Sequence, residues 1–139
     1  MKLVFKGKQD FILRFDSGDE VISGIAAFCK KEDIRAASFT AIGASERIVF
    51  SYYKLHEKAY QDREVEERLE IISLAGNVAL LEGEPVVHAH GSFSNRHYTV
   101  RGGHVKKLIV SATCEVSLRA HEGEINRAYD EKTGLNLMQ

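Results

Sequence analysis

The stretch from Val86 to Val105, VVHAHGSFSNRHYTVRGGHV, holds four of the chain's six histidines within 20 positions. Successive side chains of a strand point to opposite faces, so Val86, His88, His90 and Ser92 share one face. Val87, Ala89, Gly91 and Phe93 share the other. SNRH offers a tight turn at Asn95 and Arg96 that returns HYTVRGGH along the first strand. The pattern predicts a β-hairpin whose first strand carries His88 and His90 on one face.

Working outward, the same texture extends over most of the chain. From residue 35, RAASFTAIGA, ERIVFSYYKL, ERLEIISLAGNVAL, PVVHAHGSF, HYTVRGG and VKKLIVSATCEVSLRAH are β-branched or aromatic runs broken by glycine and charge clusters. They predict a mostly antiparallel sheet. KLVFK and DFILRF near the N-terminus predict two further short strands. Between them and the sheet, VISGIAAFCKKED repeats apolar residues at helical spacing (Val21, Ile22, Ile25, Ala26, Phe28, Cys29), with acids before it and lysines near its end. The tail, GEINRAYDEKTGLNLMQ, predicts a short helical turn, a turn at DEKTG and a last apolar segment. The expected fold is α+β, a strand-rich body with one main helix packed on it.

At 139 residues and 44 % hydrophobic content, the chain has the length of one domain able to bury its own core, and we expect a single domain over 1–139. No apolar run suits a bilayer, and MKLVFKGKQDFILRF lacks the hydrophobic region of a signal peptide, so the expected location is cytoplasmic, with no membrane partner. Cys29 and Cys114 lack any C-x-x-C pairing and read as small buried hydrophobes. Nineteen basic against twenty acidic residues give a net charge of −1. That balance does not support nucleic acid as the main partner, because phosphate binding calls for a basic surplus.

Histidines two apart on a strand lie about 7 Å apart along the backbone and can converge on one ion. Zinc takes neutral imidazole nitrogens, and catalytic sites use three protein ligands with one position open. In a two-residue hairpin His90 faces Arg101 and His88 faces Gly103, which leaves His104 on the wrong face. A bulge at Gly102 and Gly103 corrects the parity and sets His104 opposite His88. His97, at the turn, is the competing third ligand. The alternative is a hydrogen-bonded polar sheet face with a glycine bend. Imidazole equally suits nickel, cobalt or iron.

Glu70 interrupts the apolar run ERLEIISLAGN and is the candidate general acid or base, against an exposed edge position. Glu115 in TCEVSL ranks behind it. Arg101 could bind an anionic ligand group with its forked donors, or pair with an acid across the sheet. NRAYDEKTG invites a reading as a ligand loop through Arg127 and Asp130, but their i, i+3 spacing favours a structural pair before a turn at Gly134.

Taken in order, LEIISLAGNVAL, HAHGSFSNRHYTVRGGHV, SATCEVSL and INRAYDEKTGLNLM resemble the plants-and-prokaryotes-conserved (PPC) domain over nearly the whole chain. The resemblance implies a compact α+β homotrimer, several of whose bacterial members hold a metal, zinc foremost, at H-x-H plus GGH, here His88, His90 and His104. It also implies likeness to acetolactate decarboxylase, a fold analogy that does not transfer the reaction. Plant members join this domain to AT-hook segments, and bacterial members carry a DNA-binding label. No R-G-R-P core occurs in this chain. Three functions are therefore in play: a zinc protein or metal-dependent enzyme acting on an unidentified small molecule, a DNA-binding module, and a non-catalytic trimeric assembly domain.

Overall fold

The computed structural model describes all residues, Met1–Gln139. Two short strands, β1 (Lys2–Lys6) and β2 (Asp10–Asp16), lead into α1 (Val21–Lys31). The helix starts where the Glu20 carboxylate accepts hydrogen bonds from the backbone N–H of Ile22 and Ser23. The same carboxylate accepts from the Leu108 N–H and so ties the helix entrance to the sheet. Val21, Ile25, Phe28 and Cys29 form the buried stripe, which matches the periodicity expected from the sequence.

The runs that look like separate strands fuse into four longer ones: β3 (Ala37–Lys54), β4 (Ala59–Leu81), β5 (Glu84–Ser94) and β6 (Val100–Ala120). The charged break at Ser45 and Glu46 is a pair of register shifts within β3, not a turn. All pairings in the main sheet are antiparallel, in the order β1-β2-β6-β3-β4-β5, and β5 also pairs with β6. The last pairing closes a ring of four strands, β6-β3-β4-β5. It is possible because β6 changes partner along its length, meeting β5 through residues 100–104 and β2 through residues 113–119.

The interior is apolar and tightly filled. Phe15, Phe93, Leu13, Ile25, Leu74, Leu108 and Val105 are fully buried, and Phe50 meets Phe93 edge to face with ring centroids 5.4 Å apart. No helix is long and apolar enough to cross a membrane.

The tail corrects the expectation of a helical turn. Residues Arg127–Asp130 (β7) and Leu135–Met138 (β8) form a two-stranded antiparallel ribbon. Arg127 and Asp130 accordingly do not pair with each other: Asp130 accepts from the Thr133 N–H and hydroxyl, which fixes the turn. Leu80 N donates to Ile125 O and lashes the ribbon to the end of β4.

Candidate metal centre

Alternation along β5 places Ala89 and Phe93 in the core and His88 and His90 on the outer face. The hairpin to β6 is not the two-residue turn expected from SNRH. Five residues, 95–99, form the loop, and the Asn95 side-chain oxygen organises it by accepting from the His97 and Thr99 N–H groups. That loop length sets the pairing, with His90 directly opposite His104 and Ser92 opposite Gly102. No bulge at the glycines is needed, and His104 faces His90, not His88.

Gly102 has a separate role. A Cβ there would lie 2.3 Å from the carbonyl oxygen of Gly91, so only glycine lets β5 and β6 approach at this level.

The three imidazoles His88, His90 and His104 form a triangle. Their ring centroids are 5.1, 5.2 and 5.3 Å apart, and their candidate ligand nitrogens all lie within 4.8 Å of one another. A tetrahedral zinc at about 2.0–2.1 Å from each nitrogen requires separations of about 3.3 Å, which small side-chain rotations supply. None of the three rings makes a hydrogen bond within the protein, so no competing partner holds their lone pairs. Burial, followed by the positive charge of neighbouring His104, His90 and Arg127, pushes the His88 imidazole down to about 4. Burial first, then His90, also lowers His104, with Asp62 opposing. Both rings are therefore neutral near pH 7, the form that binds metal. The donor set fits a divalent transition ion.

Around the triangle, one row of cross-strand partners runs Ala75, His90, His104, Ser51, Asp62 through β4, β5, β6, β3 and back to β4. Asp62 pairs with Lys106 and accepts from Ser51 Oγ at 2.7 Å, and these contacts, Lys106 foremost, hold its carboxyl below the usual range. His88 lies one step along β5, opposite Asn77. A cavity of about 300 Å³ opens beside His88 and His104, walled by Tyr60 and by Leu135 and Leu137 of the ribbon.

The other sequence candidates lie elsewhere. Glu70 is exposed on β4 opposite Ser94, five positions from Ala75, the residue opposite His90, and lines a different cavity with Arg96 and Tyr98. At a strand rise of roughly 3.3 Å per residue, that places it about 16 Å along the strand from the imidazoles. Arg101 faces Phe93 rather than His90, and it pairs with Glu67 at 2.8 Å. Glu115 is exposed opposite Arg14 and Ile42. His97 is exposed in the loop, where its Nε2 accepts from Arg96 Nε.

The structural pair expected between Arg127 and Asp130 does not form. The Arg127 guanidinium instead reaches Asn77 Oδ1 at 2.8 Å and Asn136 O at 3.0 Å, and it lines the cavity with His88. Strand alternation in RAYD was the available signal, but four residues are too few to separate it from helical spacing.

Solved structures share this arrangement of strands. A PPC protein of Pyrococcus horikoshii is 34% identical, with a TM-score of 0.88 over 94% of this chain and 91% of its own. A metal-containing protein of Archaeoglobus fulgidus is 36% identical, with a TM-score of 0.87 over 100% and 99%. The α-acetolactate decarboxylase of Bacillus subtilis, at 12% identity and TM-score 0.56 over 91% and 58%, shares the fold alone. A protein of Bacteroides thetaiotaomicron with a provisional DNA-binding designation is 26% identical, with a TM-score of 0.93 over 97% and 94%. No curated protein significantly matches the chain by sequence. The family model for the Plants and Prokaryotes Conserved (PCC) domain, the PPC domain of the sequence comparison above, matches residues 3–122. With that match over most of its length, the chain belongs to the Plants and Prokaryotes Conserved domain family.

Proposed function

We propose that this protein is a zinc-dependent small-ligand protein whose metal is held by His88, His90 and His104. The observation that carries the reading is the triangle itself: three half-buried or exposed imidazoles converge, free of protein hydrogen bonds, beside a cavity of about 300 Å³. The metal-containing relative from Archaeoglobus fulgidus supports it. A dication bound by three imidazoles supplies Lewis acidity toward a carbonyl or water oxygen at its open position. The chain's own residues do the rest: Tyr60, Leu135 and Leu137 restrict access, and Asn77 and Arg127 offer polar contacts beside His88. Zinc is the first choice among the transition ions that imidazole accommodates.

The protein works in the cytoplasm as a homotrimer, in keeping with the family resemblance. The net charge of −1 favours a small ligand over DNA.

Elemental analysis of untagged protein purified without chelator tests the metal reading, beside a variant with His88, His90 and His104 all changed to alanine. Near-stoichiometric zinc that vanishes in the variant is the expected result. An absence of metal from the unaltered protein, even after incubation with zinc, overturns it.

A further inference from the structure

The cavity beside His88 and His104 has a second chemical feature, its arginine. Arg127 is the one residue lining it with a fixed charge, and no carboxylate lines it. None of the chain's ion pairs includes Arg127, although most of its other arginines have an acidic partner within 4 Å. The guanidinium is held by neutral acceptors only, the Asn77 side-chain oxygen and the Asn136 carbonyl, and its Nε is buried with no partner. A partly buried guanidinium without a counter-charge is costly, and two uncharged acceptors leave donors of the planar fork unused. Asn77 is also the cross-strand partner of His88, so the residue that orients Arg127 sits on the strand beside the imidazoles.

We propose that Arg127 is the anion-recognition residue of this cavity and that the ligand is a small monocarboxylate. Arginine's fork matches a carboxylate in two parallel hydrogen bonds. A single cation with no glycine-rich nest or helix N-terminus beside it suits one negative charge better than a phosphate. With a dication on the three imidazoles, as the proposed function requires, the cavity carries positive charge from the metal and from Arg127. A carboxylate on Arg127 then directs a neighbouring oxygen of the same ligand toward the imidazole triangle. Arg127 thus takes the role that sequence reasoning gave to Arg101, whose fork is already occupied by Glu67.

The test uses lactate and its neutral analogue lactamide on full-length protein, metal-free and cobalt-loaded. Binding is followed by the Arg127 Nε–Hε resonance in both forms and by cobalt visible absorption in the second. Lactate is expected to shift the Arg127 resonance saturably and to bind roughly tenfold or more tighter than lactamide, the scale of a charge-assisted hydrogen bond. Arg127→Gln is expected to weaken lactate by a similar factor with cobalt stoichiometry unchanged, and Arg127→Lys to recover part of the loss. Equal affinity for the two probes, an undiminished affinity in Arg127→Gln, or no saturable shift with either probe overturns the proposal. Should Arg127→Gln lose cobalt or fold, the lactate-to-lactamide ratio in the unaltered protein and in Arg127→Lys decides. Failure to take up cobalt counts against the metal reading alone, because the resonance of the metal-free protein still reports on Arg127.

Discussion

His90 and His104 are direct cross-strand partners whose rings stand nearly perpendicular, at 88°, with centroids 5.3 Å apart. His97, the rival from the same stretch, lies outside that pairing in the five-residue loop. His104→Ala is therefore expected to lower metal affinity by more than the about 100-fold that loss of a supporting residue costs, whereas His97→Ala leaves it unchanged. Metal titrations of both variants check this, and equal losses would sink the assignment.

Metal that binds only the folded chain stabilises it. Zinc at about 100 times its dissociation constant adds about 2.7 kcal/mol, or roughly 5–11 °C in melting temperature for a domain of this size. Calorimetry of the metal-free protein with and without zinc is the measurement. The triple histidine variant should show no such rise.

Gly102→Ala places a methyl group 2.3 Å from the Gly91 carbonyl oxygen, a backbone atom that yields only if β5 and β6 separate. The expected cost is about 1–3 kcal/mol in denaturant unfolding, as for other overpacked sites. Because His90 and His104 stand on the two strands being separated, metal affinity falls as well. A variant with unchanged stability and metal affinity would contradict the close approach.

Burial pushes the thiols of Cys29 and Cys114 up to about 12. At pH 7 the thiolate fraction is then about 10⁻⁵, against a few per cent for a free cysteine, so alkylation of the native protein is slowed by three or more decades. Mass spectrometry after iodoacetamide treatment, native and in denaturant, measures the ratio. Rapid native labelling of either thiol counts against the packing described.

The Asp130 carboxyl is held below its usual 3.8, first by the Thr133 hydroxyl and then by the Thr133 N–H. A carboxylate with a lowered folded value contributes stability above the unfolded value that is lost as pH falls through the folded one. The β7–β8 turn is thus expected to keep its hydrogen-exchange protection at pH 5 and to lose it only below 3.8. Asn at position 130 should remove that acid transition. Loss beginning already at pH 5 would point to another group.

Much of the fold was legible because its signals are local. The helix follows from the spacing of Val21, Ile25, Phe28 and Cys29, and the shared face of His88 and His90 on β5 follows from alternation. The hairpin register was not legible. Asn95 uses its side chain to build a longer loop, and one residue of loop length reverses every facing in the second strand. Glu70 was misplaced for a different reason, since an acid in an apolar run marks an exposed face as readily as a buried partner. Arg127 depended on a ribbon too short for its period to show, and on contacts to Asn77, fifty positions away.

The closure of the ring through β6 has a kinetic consequence. The three imidazoles lie on one hairpin spanning residues 88–104, whereas β2, at residues 10–16, must wait for residues 113–119 before it can join β6. Short loops close in well under a microsecond and hairpins in microseconds, while non-local sheets take milliseconds to seconds. Refolding thus brings His90 and His104 together early, and the N-terminal strands dock onto a centre that has already gathered its imidazoles.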